Sequence, residues 1–111
     1  MRIGINALSA ENRSGTGRYT TQLLLALARV DKANPYVVCT HAASPLQSRL
    51  APYPNFDVQA MVGGGTLRRY LFERNGLRRW IGERNLDLFH GPAFIVPASC
   101  PVPSVVTIHD L

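Results

Sequence analysis

The sequence predicts an α/β fold: a Rossmann-like parallel sheet of about five strands, order 3-2-1-4-5, with flanking helices. Three observations predict it. Short apolar runs rich in β-branched residues alternate with longer runs of helical periodicity, and strands that alternate with helices pair in parallel through right-handed crossovers. The chain has 111 residues, enough for one small domain and too few for two. Its apolar fraction of 46% is that of an ordinary globular protein, so a modest core can form.

The elements follow in order. Residues 2–6 form a short apolar run ending in Asn-Ala and read as a buried first strand. A polar loop over 8–13 leads to Ser14-Gly15-Thr16-Gly17-Arg18-Tyr19, after which a helix runs to about Val30. Tyr19, Leu23, Ala26, Leu27 and Val30 recur at spacings of three and four, so they share one face. Residues 31–35 end that helix, because the position before a proline disfavours helical backbone. Residues 36–40 read as the second strand, 45–51 as a short helix and 56–61 as an alternating third strand. Gly63-Gly64-Gly65 is a flexible break. Residues 66–85 give a long helix with Leu67, Tyr70, Leu71, Leu77 and Ile81 on one side. Gly76 should weaken its middle by about 1 kcal/mol relative to alanine. Residues 86–89 are the fourth strand, 91–103 an irregular proline-rich connection and 104–108 the fifth strand. No helix follows the fifth strand, which would stand at an edge with too little helix to cover it. The expectation is therefore part of a larger protein, and an uncovered edge encourages self-association.

The formal charge is +5, with 12 Lys and Arg against 7 Asp and Glu, a balance that favours anionic partners. Arg68, Arg69, Arg74, Arg78, Arg79 and Arg84 crowd one segment. On a helical projection Arg68 and Arg79 stand opposite the apolar stripe with Phe72 between them, and Arg69 and Trp80 flank that face. Such a face suits peripheral contact with an anionic membrane surface, or it is simply solvated. Phosphates of nucleic acid would also fit it, but the chain has no recognition motif, so nucleic acid is not an expected partner. No apolar run approaches the ~20 residues that span a bilayer. The N-terminus has no signal-peptide stretch and reads directly as a strand. These features lead to an expected cytoplasmic location, with the basic helix resting at the inner membrane face. Cys39 and Cys100 form neither a metal pattern nor a disulfide framework and read as reduced thiols.

Ligands of open parallel sheets bind outside the carboxyl ends of the strands. Gly15, Thr16, Gly17 and Arg18 are the first candidates there. Glycine permits a close backbone approach, the helix that follows offers unpaired N–H groups and a partial positive charge, and Arg18 adds a full one. The dinucleotide fingerprint fails. Thr20 stands where its third glycine belongs, and Thr40 and His41 where its acidic residue belongs. The P-loop pattern is absent as well. The three histidines, His41, His90 and His109, each fall at the expected carboxyl end of a strand. An imidazole there can donate or accept a hydrogen bond near neutral pH. His41 suits a peripheral structural role, whereas His109, with Asp110 beside it, suits function. The three are too far apart in the expected sheet to share a metal, and none is expected.

Three stretches carry a family likeness. They are Met1-Arg2-Ile3-Gly4-Ile5-Asn6-Ala7 with the Ser14 to Tyr19 run and its helix, Asp87-Leu88-Phe89-His90-Gly91-Pro92, and the closing run from Pro101 to His109-Asp110-Leu111. As a set they resemble the N-terminal domain of GT-B glycosyltransferases of the large retaining, mannosyltransferase-like family 4. The resemblance implies a sugar moved from a nucleotide-sugar donor to a glycan or lipid-linked acceptor. The active site would lie in a cleft between two Rossmann-like domains, the N-terminal one mainly holding acceptor. It implies that Gly15, Thr16, Gly17 and Arg18 face the donor phosphates, that His109 and Asp110 are catalytic beside the transferred sugar, and that His90 lies on the acceptor side. No metal and no cofactor beyond the donor substrate are implied. Several members bind membranes through a basic N-domain helix. The chain stops where the active-site strand of that family finishes. The donor domain with its carboxylates would then be missing, and these residues alone would be inactive. The alternative reading is a stand-alone Rossmann-like module for a phosphorylated metabolite.

Overall fold

The computed structural model describes residues 1–11, 15–62, 66–93, 96–97 and 99–108. His109, Asp110 and Leu111, Ser14, and the Gly63-Gly64-Gly65 break lie outside the described residues, as do the side chains of Leu67 and Arg69. The strands are β1 (Ile3–Asn6), β2 (Tyr36–His41), β3 (Phe56–Val62), β4 (Leu88–Gly91) and β5 (Ser104–Val106). The helices are α1 (Gly15–Val30), α2 (Leu46–Leu50), α3 (Thr66–Leu71) and α4 (Leu77–Gly82). A 3-10 turn, Leu8–Glu11, precedes α1, and a π turn, Phe72–Gly76, joins α3 to α4. The five strands form one sheet in the order β3-β2-β1-β4-β5, every pair parallel, as the alternation of elements predicts.

Successive strand residues point to opposite faces, and the core divides accordingly. On one face Ile5, Tyr36, Val38 and Phe56 pack with Leu24 and Ala28 of α1 and with Leu46 and Leu50 of α2. On the other, Val37, Cys39 and Phe89 pack with Leu77, Trp80 and Ile81 of α4. Gly4 also faces α4. A Cβ there would collide with Leu86 Cδ1 and come within 3.0 Å of Phe89 Cδ1, so packing requires glycine. β5 is an edge strand with all three residues exposed, Val105 and Val106 among them.

Both helix faces differ from the expectation. α1 buries Gly17, Thr20, Leu24 and Ala28, while Tyr19 and Val30 are exposed. The helix turns its small residues inward, with the buried Thr20 bonded to Ser9 of the 3-10 turn, so the apolar stripe read from the sequence is turned partly outward. In the long helix the π turn shifts the phase, because a wider turn advances less per residue than 100°. Tyr70 and Leu71, read on one apolar side with Leu77 and Ile81, are exposed, and Trp80, read as flanking the basic face, is 2% exposed. Gly76 does not merely weaken this helix. A Cβ there would lie 2.8 Å from Phe72 Cδ1, so glycine lets the Phe72 ring fold over the turn.

Candidate functional site

In a doubly wound sheet the ligand crevice lies where the strand order reverses, at the carboxyl ends of the two strands flanking that point. Here those strands are β1 and β4, which pair through Ile3↔Leu88, Gly4↔Phe89 and Ile5↔His90. The loop after β1 leads into α1 on one face of the sheet. The helix after β3 comes down the other face. Both connections border the same end.

Of the residues singled out in the sequence, the fold places Gly15, Thr16, Gly17 and Arg18 together as the first turn of α1. They are helical rather than a turn preceding the helix, so Gly15 and Gly17 are not required for a left-handed backbone. Gly17 is buried against the body of the domain. Gly15 is exposed, and a Cβ there would meet nothing within 4 Å, so its bare backbone is open to approach. The first N–H groups of an α-helix lack intrahelical partners and carry the positive end of its dipole. α1, at 16 residues, is long enough to carry a full dipole, and exposed Arg18 extends the positive potential.

His90 sits at the carboxyl end of β4, half-buried, with Nε2 2.9 Å from the Thr107 hydroxyl. Burial lowers its pKa from 6.5, so the ring is neutral at neutral pH. Its register with Ile5 and Val105 places it on the α1 face of the sheet. His41 closes β2, and its Nδ1 accepts the Ala43 N–H at 3.4 Å, a local turn contact. His109 and Asp110 lie outside the described residues. Among the described residues no group of three or more His, Cys, Asp or Glu could hold a metal ion.

The sequence reading missed a polar set beneath the crevice. Asn6, the last residue of β1, is 4% exposed. Its Nδ2 donates to Glu73 Oε2 at 2.9 Å, and its Oδ1 accepts the Leu8 N–H at 3.1 Å. Ser9 and Thr20 are buried with their hydroxyls 2.9 Å apart. Cys39, paired with Asn6 in the sheet, has its thiol pushed up to about 12 by burial and then by the Glu73 carboxylate. One signal was available. Glu73 is the sole acid in the arginine-rich stretch between Thr66 and Gly82.

The arginine segment is less uniform than its composition. Arg68, Arg74, Arg78 and Arg79 are exposed. Arg78 Nε donates to the Ser99 carbonyl at 2.9 Å, and Arg79 pairs with Glu83 at 3.4 Å. Asn75, Arg78, Arg79 and Gly82 line a shallow groove of about 370 Å³ against Pro101. Arg84 is not part of this surface. It lies past the end of α4, stacks 4.5 Å from the Trp80 ring centroid and bonds Gln59 Oε1 at 2.7 Å. No described helix is long and apolar enough to cross a membrane.

Comparisons with protein-family models, with curated proteins and with solved structures find no match for this chain.

Proposed function

We propose that this domain binds the diphosphate of a nucleotide-sugar at the first turn of α1 and serves as the acceptor-side half of a retaining glycosyltransferase. One observation carries the reading: a 16-residue helix opens with an exposed glycine at the carboxyl end of β1, beside the strand-order reversal, with a neutral histidine closing the neighbouring strand. The resemblance of the Gly15 to Tyr19 run and of His90-Gly91-Pro92 to the GT-B glycosyltransferases supports the choice of ligand.

The chemistry is electrostatic. Departure of a nucleoside diphosphate leaves growing negative charge on its β-phosphate. Backbone N–H groups fixed at a helix start, with Arg18 beside them, stabilise that charge without reorganising. A neutral His90 can donate or accept a hydrogen bond to a sugar or acceptor hydroxyl. In this reading His109 and Asp110 face the transferred sugar, and the carboxylates of a second, donor-holding domain complete the cleft. The exposed arginines of α3 and α4 would rest on an anionic membrane surface carrying a lipid-linked acceptor.

Calorimetric titration of the chain with UDP, GDP and inorganic pyrophosphate tests the reading. Binding is expected for all three. Gly15→Val is the decisive variant, because its side chain enters open space in the free protein yet obstructs the helix start. It should abolish the heat and leave thermal stability unchanged. Equal binding by Gly15→Val and wild type would place the anion elsewhere. A response to pyrophosphate and sugar phosphates alike, with no gain from the nucleoside, favours the simpler phosphorylated-metabolite module.

A further inference from the structure

The connection between β1 and α1 is held from both faces of the sheet. On the α1 side, the Thr20 hydroxyl donates its one proton to the Thr16 carbonyl at 2.8 Å. The 2.9 Å contact with Ser9 therefore has Ser9 donating to Thr20 Oγ1. Residue 9 of the 3-10 turn is thereby tied to the first turn of α1. On the α4 side, Asn6 is tied to Glu73 and, through its other amide atom, to the Leu8 N–H. Glu73 occupies the π turn, a local widening of the helix that is frequent at functional sites. The bonds run from Glu73 through Asn6 to Leu8, continue along the 3-10 turn to Ser9, and end at Thr20 and the Thr16 carbonyl.

We propose that Glu73 is a positioning residue: acting through Asn6, it fixes the backbone at Leu8 and so sets the first turn of α1 for its anionic ligand. The proposal rests on the reading of that turn as a diphosphate site. A carboxylate at the same end of the sheet is adverse to an anion on charge alone, and after burial it is this carboxylate that raises the Cys39 thiol on the neighbouring strand. Geometry is what it contributes. An amide oxygen in the same place would accept the same hydrogen bond from Asn6 and spare the charge.

That contrast gives the experiment. Inorganic pyrophosphate is titrated into the chain and its variants by calorimetry, with thermal unfolding recorded alongside. Glu73→Ala should weaken binding about tenfold, the size of one lost hydrogen bond to a charged group, and Glu73→Gln should stay within about twofold of wild type. Asn6→Asp keeps the acceptor for Leu8 but sets a carboxylate against Glu73, and should reproduce the Glu73→Ala loss. A purely electrostatic role predicts the opposite sign, tighter binding in both Glu73 variants, and would overturn the proposal, as would equal affinity in all proteins. If wild type binds no pyrophosphate, the diphosphate reading fails, and amide hydrogen exchange in the free proteins decides the positioning claim. The Leu8 and Thr20 amides should then exchange faster in Glu73→Ala and at the wild-type rate in Glu73→Gln. Unchanged exchange in Glu73→Ala would overturn it.

Discussion

The two ends of the sheet are built differently. At the amino end, long polar side chains close on backbone and on one another. Asp31 accepts from the Asn34 side chain, the Tyr36 hydroxyl and the Ala33 and Asn34 amides. Asn55 spans the carbonyls of Asp31 and Asn34. Arg2 bonds Asp87 through its amide and the Arg84 carbonyl through its side chain. At the carboxyl end, among the described residues, the backbone at Gly15 is bare and the polar contacts are the buried links of Asn6 to Glu73 and of Ser9 to Thr20. Among the described residues one end is closed by polar networks and the other presents the bare start of α1. Strand ends that leave backbone uncovered beside a helix start are suited to a ligand, whereas a saturated network is suited to holding loops in place.

The largest stability effects should therefore come from the saturated end and the strand it supports. Gly4→Ala would overpack against Leu86 and Phe89 and cost about 1–3 kcal/mol in chemical denaturation. Arg84→Ala would remove the Gln59 bond and the Trp80 stacking and cost about 2 kcal/mol, with no change in anion affinity. Asn55→Ala would strip the Asp31 and Asn34 carbonyls of their donor, at about 1–2 kcal/mol. A carboxyl-end variant such as Arg18→Ala should do the reverse, weakening pyrophosphate severalfold while the unfolding midpoint holds. Loss of affinity in Arg84→Ala, or of stability in Arg18→Ala, would dissolve the contrast.

Acid should separate the ends too. The Asp31 carboxyl is held well below its ordinary 3.8, first by the Asn34 side chain and then by the Tyr36 hydroxyl. The unfolded chain thus takes up this proton first, and the stabilisation from Asp31, complete above about pH 4, drains away only as pH falls further. His90 acts earlier. Burial lowers its folded pKa below 6.5, so the unfolded chain binds the proton more readily and stability declines as pH falls through 6.5. His90→Gln should flatten the pH 5–7 part of the stability profile and leave the more acidic part intact. The smallest effect expected is Gly76→Ala, where a helix-propensity gain of about 1 kcal/mol is offset by displacing the Phe72 ring.

The strand order and parallel pairing were legible because alternation of element types is a property of the whole chain. Helix faces were not. Tyr19 and Val30 share an apolar stripe when apolar side chains are counted, but the buried face of α1 carries Gly17, Thr20 and Ala28. Trp80 was misplaced because a π turn changes the angular register and leaves no mark in periodicity. Gly15, Thr16, Gly17, Arg18 and His90 could be assigned to the carboxyl end because topology alone determines which strand ends share a side. The Asn6–Glu73 and Ser9–Thr20 links could not, since each joins elements distant in sequence through ordinary polar residues.

The most direct measurement is an amide chemical-shift map of the chain titrated with a nucleoside diphosphate. Binding at the helix start predicts saturable shifts at the Gly15, Thr16, Gly17, Arg18 and His90 amides, with Ala33, Asn34 and Tyr36 at the opposite end unmoved. Shifts confined to the exposed arginines of α3 and α4, or spread evenly over both ends of the sheet, would contradict the account.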